Sequence, residues 1–193
     1  MMNTRKLLCT VILLLAFTEI AYPAQKKAVS KVDDRARNIY QLFTKHNPKL
    51  SGTDAKKYAE IVIEAAEKYK QDPYVIAGII VHESTVNNKA VSKGGDYGLM
   101  QVRWKVHEKA IKKEFPQVRK ASDMFNARVN ILYGTEIFAY YMKKADNDVK
   151  KGLMGYSAGS EKLTSKVLAT VKELKANDSK TTSKSKTNTK KGK

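Results

Sequence analysis

Apolar residues recur along most of this chain at spacings of three and four, the pattern of helices that bury one face. Over residues 33–46 they are Ile39, Leu42 and Phe43, and the segment closes near Asn47-Pro48, because proline disfavours helical backbone in the residue before it. A second helix, capped by Ser51 or Thr53, carries Tyr58, Ile61, Val62, Ala65 and Tyr69 on one face and Glu60, Glu64, Glu67 and Lys68 on the other. The third segment has Asp72 as cap and Pro73 at its first position, then runs Tyr74 to Val81 with almost nothing polar. A helix apolar all round belongs at the centre of a domain. Asn87-Asn88 and Gly94-Gly95 then turn the chain. Further helices are predicted at 105–114, 123–145, 146–155 and 160–174, the long one aligning Ala127, Ile131, Gly134, Phe138 and Tyr141. No strand alternation and no repeat of solenoid period stands out. The fold class is mainly α, a single helical domain.

The two ends follow other rules. Arg5 and Lys6, an apolar run from Leu7 to Phe17 and the small-residue stretch around Ala21 to Ala24 predict a signal peptide over residues 1–24, with an uncleaved anchor as the alternative. The chain is therefore expected to be exported, to the periplasm or cell envelope. Residues 25–50 read as a basic linker and the first helix. Cys9, the one cysteine, lies in the apolar run and leaves with it, so neither disulfides nor thiolate metal sites are expected. From Lys175 to Lys193 the composition turns to Lys, Ser, Thr and Asn, with seven lysines against Asp178, which predicts a disordered basic tail. The full chain carries a formal charge of +18, or +17 without Arg5, Lys6 and Glu19 of the leader. Such a balance suits polyanions: nucleic acid, anionic lipid or acidic wall polymer. Export favours anionic envelope polymers or lipid heads as partners of the tail. No nucleic-acid module accompanies the charge, and the tail lacks interleaved aromatics.

Glu83 shares a helical face with Ile76, Ile79 and Ile80. A carboxyl in apolar surroundings keeps its proton to higher pH, as a general acid requires, although a structural glutamate paired with a lysine fits the pattern as well. His82-Glu83-Ser84, Asn88 to Ser92, and Tyr97-Gly98-Leu99-Met100-Gln101-Val102 together resemble the soluble lytic transglycosylase family. Val129-Asn130-Ile131 with Gly134, and Gly155-Tyr156-Ser157-Ala158-Gly159, are similar to two further motifs of that family, in the family's order, and the resemblance covers residues 55–172. It implies a goose-type, lysozyme-like helical domain over residues 51–174, with an active-site groove and little or no β structure.

Carried over to this sequence, the resemblance implies Glu83 as the single catalytic acid and base, with Ser84 as its partner at the helix end. Ser92, Met100, Gln101 and Tyr156 would line the sugar groove, Tyr156 positioning the carboxylate, while Asn130 braces the backbone behind the site. Each also has a structural reading: Ser92 a turn residue, Gln101 a surface amide, Tyr156 half-buried core, Asn130 a helix residue facing a neighbour. Gly155 and Ser157 depart from the family's Ala and Asn, and Arg103 stands where an apolar methionine is frequent. The implied substrate is the peptidoglycan glycan strand, cut between N-acetylmuramic acid and N-acetylglucosamine with formation of 1,6-anhydromuramic ends. Small members of the family suggest a role in opening the wall for a secretion-type apparatus.

Asp96 leaves a rival open, since a second carboxylate near the groove would suit a water-activating muramidase, while Gly94-Gly95-Asp96 also reads as an exposed turn. A non-enzymatic basic wall-binding protein is the other rival. His46, His82 and His107 are not at ligand spacing, so no metal and no cofactor is expected. Trp104 is either core or a sugar-stacking platform.

Overall fold

The computed structural model describes residues 33–188, with side chains as far as Asp178. The expected leader, the linker at 25–31 and the last residues of the tail lie outside this range. The first helix, α1 (Asp34–His46), starts where the Asp33 carboxylate accepts a bond from the Arg35 amide, and it buries Ile39, Leu42 and Phe43 as the spacing predicts. In α2 (Gly52–Tyr69) the cap is Ser51, whose hydroxyl accepts from the Asp54 amide at 3.0 Å. The apolar segment becomes α3 (Pro73–Ser84), capped by Asp72, with every residue from Tyr74 to Val81 buried.

After α3 come two short antiparallel strands, β1 (Asp96–Tyr97) and β2 (Val102–Arg103), paired Asp96 to Arg103 and Tyr97 to Val102. They are followed by α4 (Trp104–Glu114), a 3-10 turn (Ala121–Phe125), α5 (Ala127–Lys144), α6 (Val149–Tyr156) and α7 (Glu161–Asn188). The expected segment 123–145 divides at Asn126, whose side chain accepts from the Arg128 and Val129 amides while its own backbone is extended. Likewise α6 begins only at Val149, because Asp146 and Asn147 adopt left-handed backbone and Asp148 caps the new helix. Among the described residues the architecture is mainly α, as expected, and no helix is long and apolar enough to cross a membrane.

The core surrounds α3, which packs against α1, α2 and α7. Gly78 sets the approach of α7: a Cβ there would meet Val167 Cγ1 at 3.0 Å. A smaller apolar cluster of Val102, Ile111, Val118, Met124, Val129 and Tyr133 supports the hairpin and α4 from below.

The domain does not stop at residue 174. Lys175 Nζ lies 2.7 Å from Asp72 Oδ2, and Asp178 Oδ1 accepts bonds from Tyr74 Oη and Asn38 Nδ2, both at 2.5 Å. The helix then continues to Asn188. For residues 175–178 the expectation of a disordered tail is corrected: composition registers the lack of apolar residues, whereas one carboxylate reaching two buried polar groups is enough to hold another turn.

Candidate active site

The last turn of α3 delivers Glu83 to a cavity of about 340 Å³. The helix ends abruptly, with Thr85 and Val86 in left-handed backbone at φ 53° and 57°, an uncommon conformation for a β-branched residue. Fully buried Val86 is held there by its packing and by Asn47 Nδ2, which donates to the Val86 carbonyl at 3.2 Å. Burial, and secondarily the negative charge of Asp96, push the Glu83 carboxyl up to about 7. Such a group is protonated in an appreciable fraction near neutrality and able to donate a proton or to take one back.

The opposite side of the cavity is the β1–β2 hairpin. Gly98 makes the turn possible: it has φ +77°, and a Cβ there would fall 2.6 Å from the Met124 carbonyl oxygen. Asn130, fully buried on α5, closes the turn from behind, its Oδ1 accepting from the Met100 amide and its Nδ2 donating to the Tyr97 carbonyl, both at 2.7 Å. Tyr156 Oη donates to the Met100 carbonyl at 2.7 Å. Its phenol is held well above the usual range by burial first, then by the charges of Glu83 and Asp96. On β1, Asp96 accepts from Arg103 Nε at 2.6 Å, Arg103 Nη2 at 3.0 Å and Ser92 Oγ at 2.7 Å. Bonding from Arg103, opposed by burial and aided by Ser92, keeps the Asp96 carboxyl below its ordinary value. The cavity therefore holds two carboxyls of opposite character, Glu83 poised to exchange a proton and Asp96 a fixed anion. Among the described residues no three His, Cys, Asp or Glu side chains converge as a metal site would require.

Residues 60–179 match the family model of the transglycosylase SLT domain. The chain belongs to this family. Membrane-bound lytic murein transglycosylase E of Buchnera aphidicola (subspecies Acyrthosiphon pisum, strain APS) is 28% identical over 116 residues, covering 58% of this chain. The chain spans about half the length of that relative, 51%.

Within the SLT domain the structure sorts the residues expected from sequence. Glu83, Gln101 and Tyr156 line the cavity together. Gln101 does so from left-handed backbone at φ 49°, its Nε2 donating to the carbonyls of Gly98 and Ala90. Asn130 bonds both sides of the hairpin turn from α5. Met100 does not line the cavity: it is fully buried, and a Cβ on Gly134 would come within 2.7 Å of its Cβ and Sδ, so it acts as a core plug joining the hairpin to α5. Ser92 is likewise absent from the lining and holds Asp96 instead. Ser84 donates back to the Ile80 carbonyl at 3.0 Å, and Tyr156 bonds the loop rather than the Glu83 carboxyl. Trp104 is half-buried on the smaller cluster, with Lys112 Nζ 5.7 Å from its ring centre, and does not face the cavity.

Several lining residues were not singled out as site residues: Arg103, Val106 and His107 from β2 and α4, Ile137 and Tyr141 from α5. Ile137 and Tyr141 stand four apart on α5, a spacing that the sequence offers but that cannot distinguish a groove wall from core. The Gly155 departure has a steric reason, since a Cβ there would lie 2.5 Å from Tyr141 Cδ1. Glycine on α6 makes room for this tyrosine wall. Ser157 Oγ accepts from the Ser160 amide at 3.2 Å and serves the turn into α7.

Proposed function

We propose that this SLT domain cleaves the β-1,4 bond between N-acetylmuramic acid and N-acetylglucosamine of peptidoglycan as a lytic transglycosylase. Glu83 donates its proton to the glycosidic oxygen as the bond from C1 to that oxygen breaks. The muramic C6 hydroxyl then bonds to C1, and its proton returns to Glu83. Atoms balance without water, and the product carries a 1,6-anhydromuramic end. Holding the internal nucleophile near C1 supplies the gain expected of an oriented intramolecular reaction. The observation that carries the reading is the pairing of a desolvated Glu83, pushed up to about 7, with an Asp96 already engaged by Arg103 and Ser92. A carboxylate so occupied is a poor base for water. Family membership and the resemblance to a lytic murein transglycosylase support the same substrate class.

The leader-like sequence of residues 1–24 supports a periplasmic or envelope location for this activity, and the basic C-terminal composition supports an electrostatic attraction to anionic envelope polymers or lipid heads. In that setting a compact domain suits local opening of the wall for an envelope-spanning apparatus. Mass spectrometry of digested sacculi tests the chemistry: muropeptides one water lighter than hydrolysis products are expected, without new reducing ends. Reducing muramic ends that carry oxygen from labelled water would replace this mechanism with an Asp96-assisted muramidase. No cleavage at all would leave a wall-binding protein.

A further inference from the structure

Arg103 is the one cation lining the Glu83 cavity among the described residues, and in the steps written above it only holds Asp96 and touches no substrate atom. Its side chain is 54% exposed, while that of Asp96 is 18% exposed. The bonds to Asp96 occupy Nε and one proton of Nη2, one edge of the guanidinium. The other edge, with Nη1, is left as a planar two-point donor whose orientation Asp96 has already set. The next residue begins α4, which has no side-chain cap, so its first-turn amides add partial positive charge at the same corner. Burial lowers His107 below its ordinary 6.5, which leaves that neighbour neutral and the local positive charge with Arg103. Sugar hydroxyls and acetamides do not require a preoriented guanidinium. A carboxylate does.

We propose that Arg103 is a specificity residue that binds a carboxylate borne by the muramoyl residue, with Asp96 as its positioning residue. The proposal rests on the lytic transglycosylase reading for its substrate. Two sources share this chemistry, the free lactyl carboxylate of peptide-stripped glycan and a carboxylate of an attached stem peptide. Binding is measured by calorimetry on E83Q, which holds strands uncut, with stripped strands, the same strands capped as methylamides, and peptide-bearing strands. E83Q should bind at least one carboxylate-bearing strand about tenfold more tightly than the capped strand, the preference shrinking with salt. In E83Q/R103M the preference should vanish, and in E83Q/R103K it should persist in part, because lysine retains the charge without the fork. A preference for stripped strands identifies the lactyl group, and one confined to peptide-bearing strands identifies the stem peptide. Equal binding of all three strands by E83Q, or a preference that survives R103M, would overturn the assignment. Failure of the wild-type protein to cut any strand would count against the transglycosylase reading alone, since the binding comparison needs no turnover.

Discussion

Replacing Glu83 by glutamine should stabilise the domain, and do so only toward alkaline pH. Burial and the neighbouring Asp96 raise the Glu83 carboxyl from an ordinary 4.5 to about 7. Between these values the folded protein keeps a proton that the unfolded chain has released, so wild-type stability falls as pH rises through the interval and levels off above about 7. At about 1.36 kcal/mol per pH unit the full interval corresponds to about 3 kcal/mol, and partial exposure to cavity solvent reduces the expectation to about 2 kcal/mol. Glutamine has nearly the same shape and cannot ionise, so E83Q escapes this loss. Urea unfolding of both proteins at constant ionic strength, from about pH 4 to about pH 8.5, reads the difference directly. Glu136, which burial and its hydrogen bond with Glu114 also push up to about 7, is present in both proteins and cancels. The stability gap should widen from about pH 4.5 to about pH 7 and then stay constant. A gap independent of pH would mean that folding leaves the Glu83 carboxyl unshifted, and one in which the wild type gains on E83Q with rising pH would mean that Glu83 is stabilised as an anion; either result would remove the general-acid assignment.

Asp96→Asn removes the negative charge that helps keep Glu83 protonated, so the alkaline limb of the kcat/KM profile should move toward acid while anhydro products persist. A stationary limb would show the two groups to be uncoupled. Asp178→Ala strips the buried Tyr74 hydroxyl and Asn38 amide of a shared acceptor and should cost about 2 kcal/mol in chemical denaturation, whereas a loss below about 0.5 kcal/mol would return residues 175–178 to the role of an unpacked tail.

Helices were legible in the sequence because their information is local. The caps Ser51 and Asp72 bond amides only two or three residues ahead, and the faces of α1 and α2 follow from spacing alone. Periodicity placed Glu83 at the end of an entirely buried run but fitted a structural glutamate as well, and the resemblance of the neighbouring motifs singled it out. Met100 was misplaced because adjacency to Gln101 in the motif says nothing about which way either side chain points. Gln101, in left-handed backbone, borders the cavity while Met100 drops against Gly134.

What the sequence determined by itself is a mainly helical domain, the order of its motifs, and an acid at the end of its most apolar helix. The helices and the position of the acid rest on periodicity, capping and short-range steric rules that act within a few residues, while the motifs were recognised by their resemblance to a known family. Only the tertiary structure decided that Asp96 is engaged rather than free, that Arg103 presents an open edge, that Ile137 and Tyr141 form a wall, and that Asp178 locks α7 to α1 and α3. These are pairings between polar or amphipathic groups brought together by hairpin closure and helix packing. Loop polar residues have no period to announce their partners, and the energy that selects a partner exists only once the surrounding core has excluded water from the alternatives.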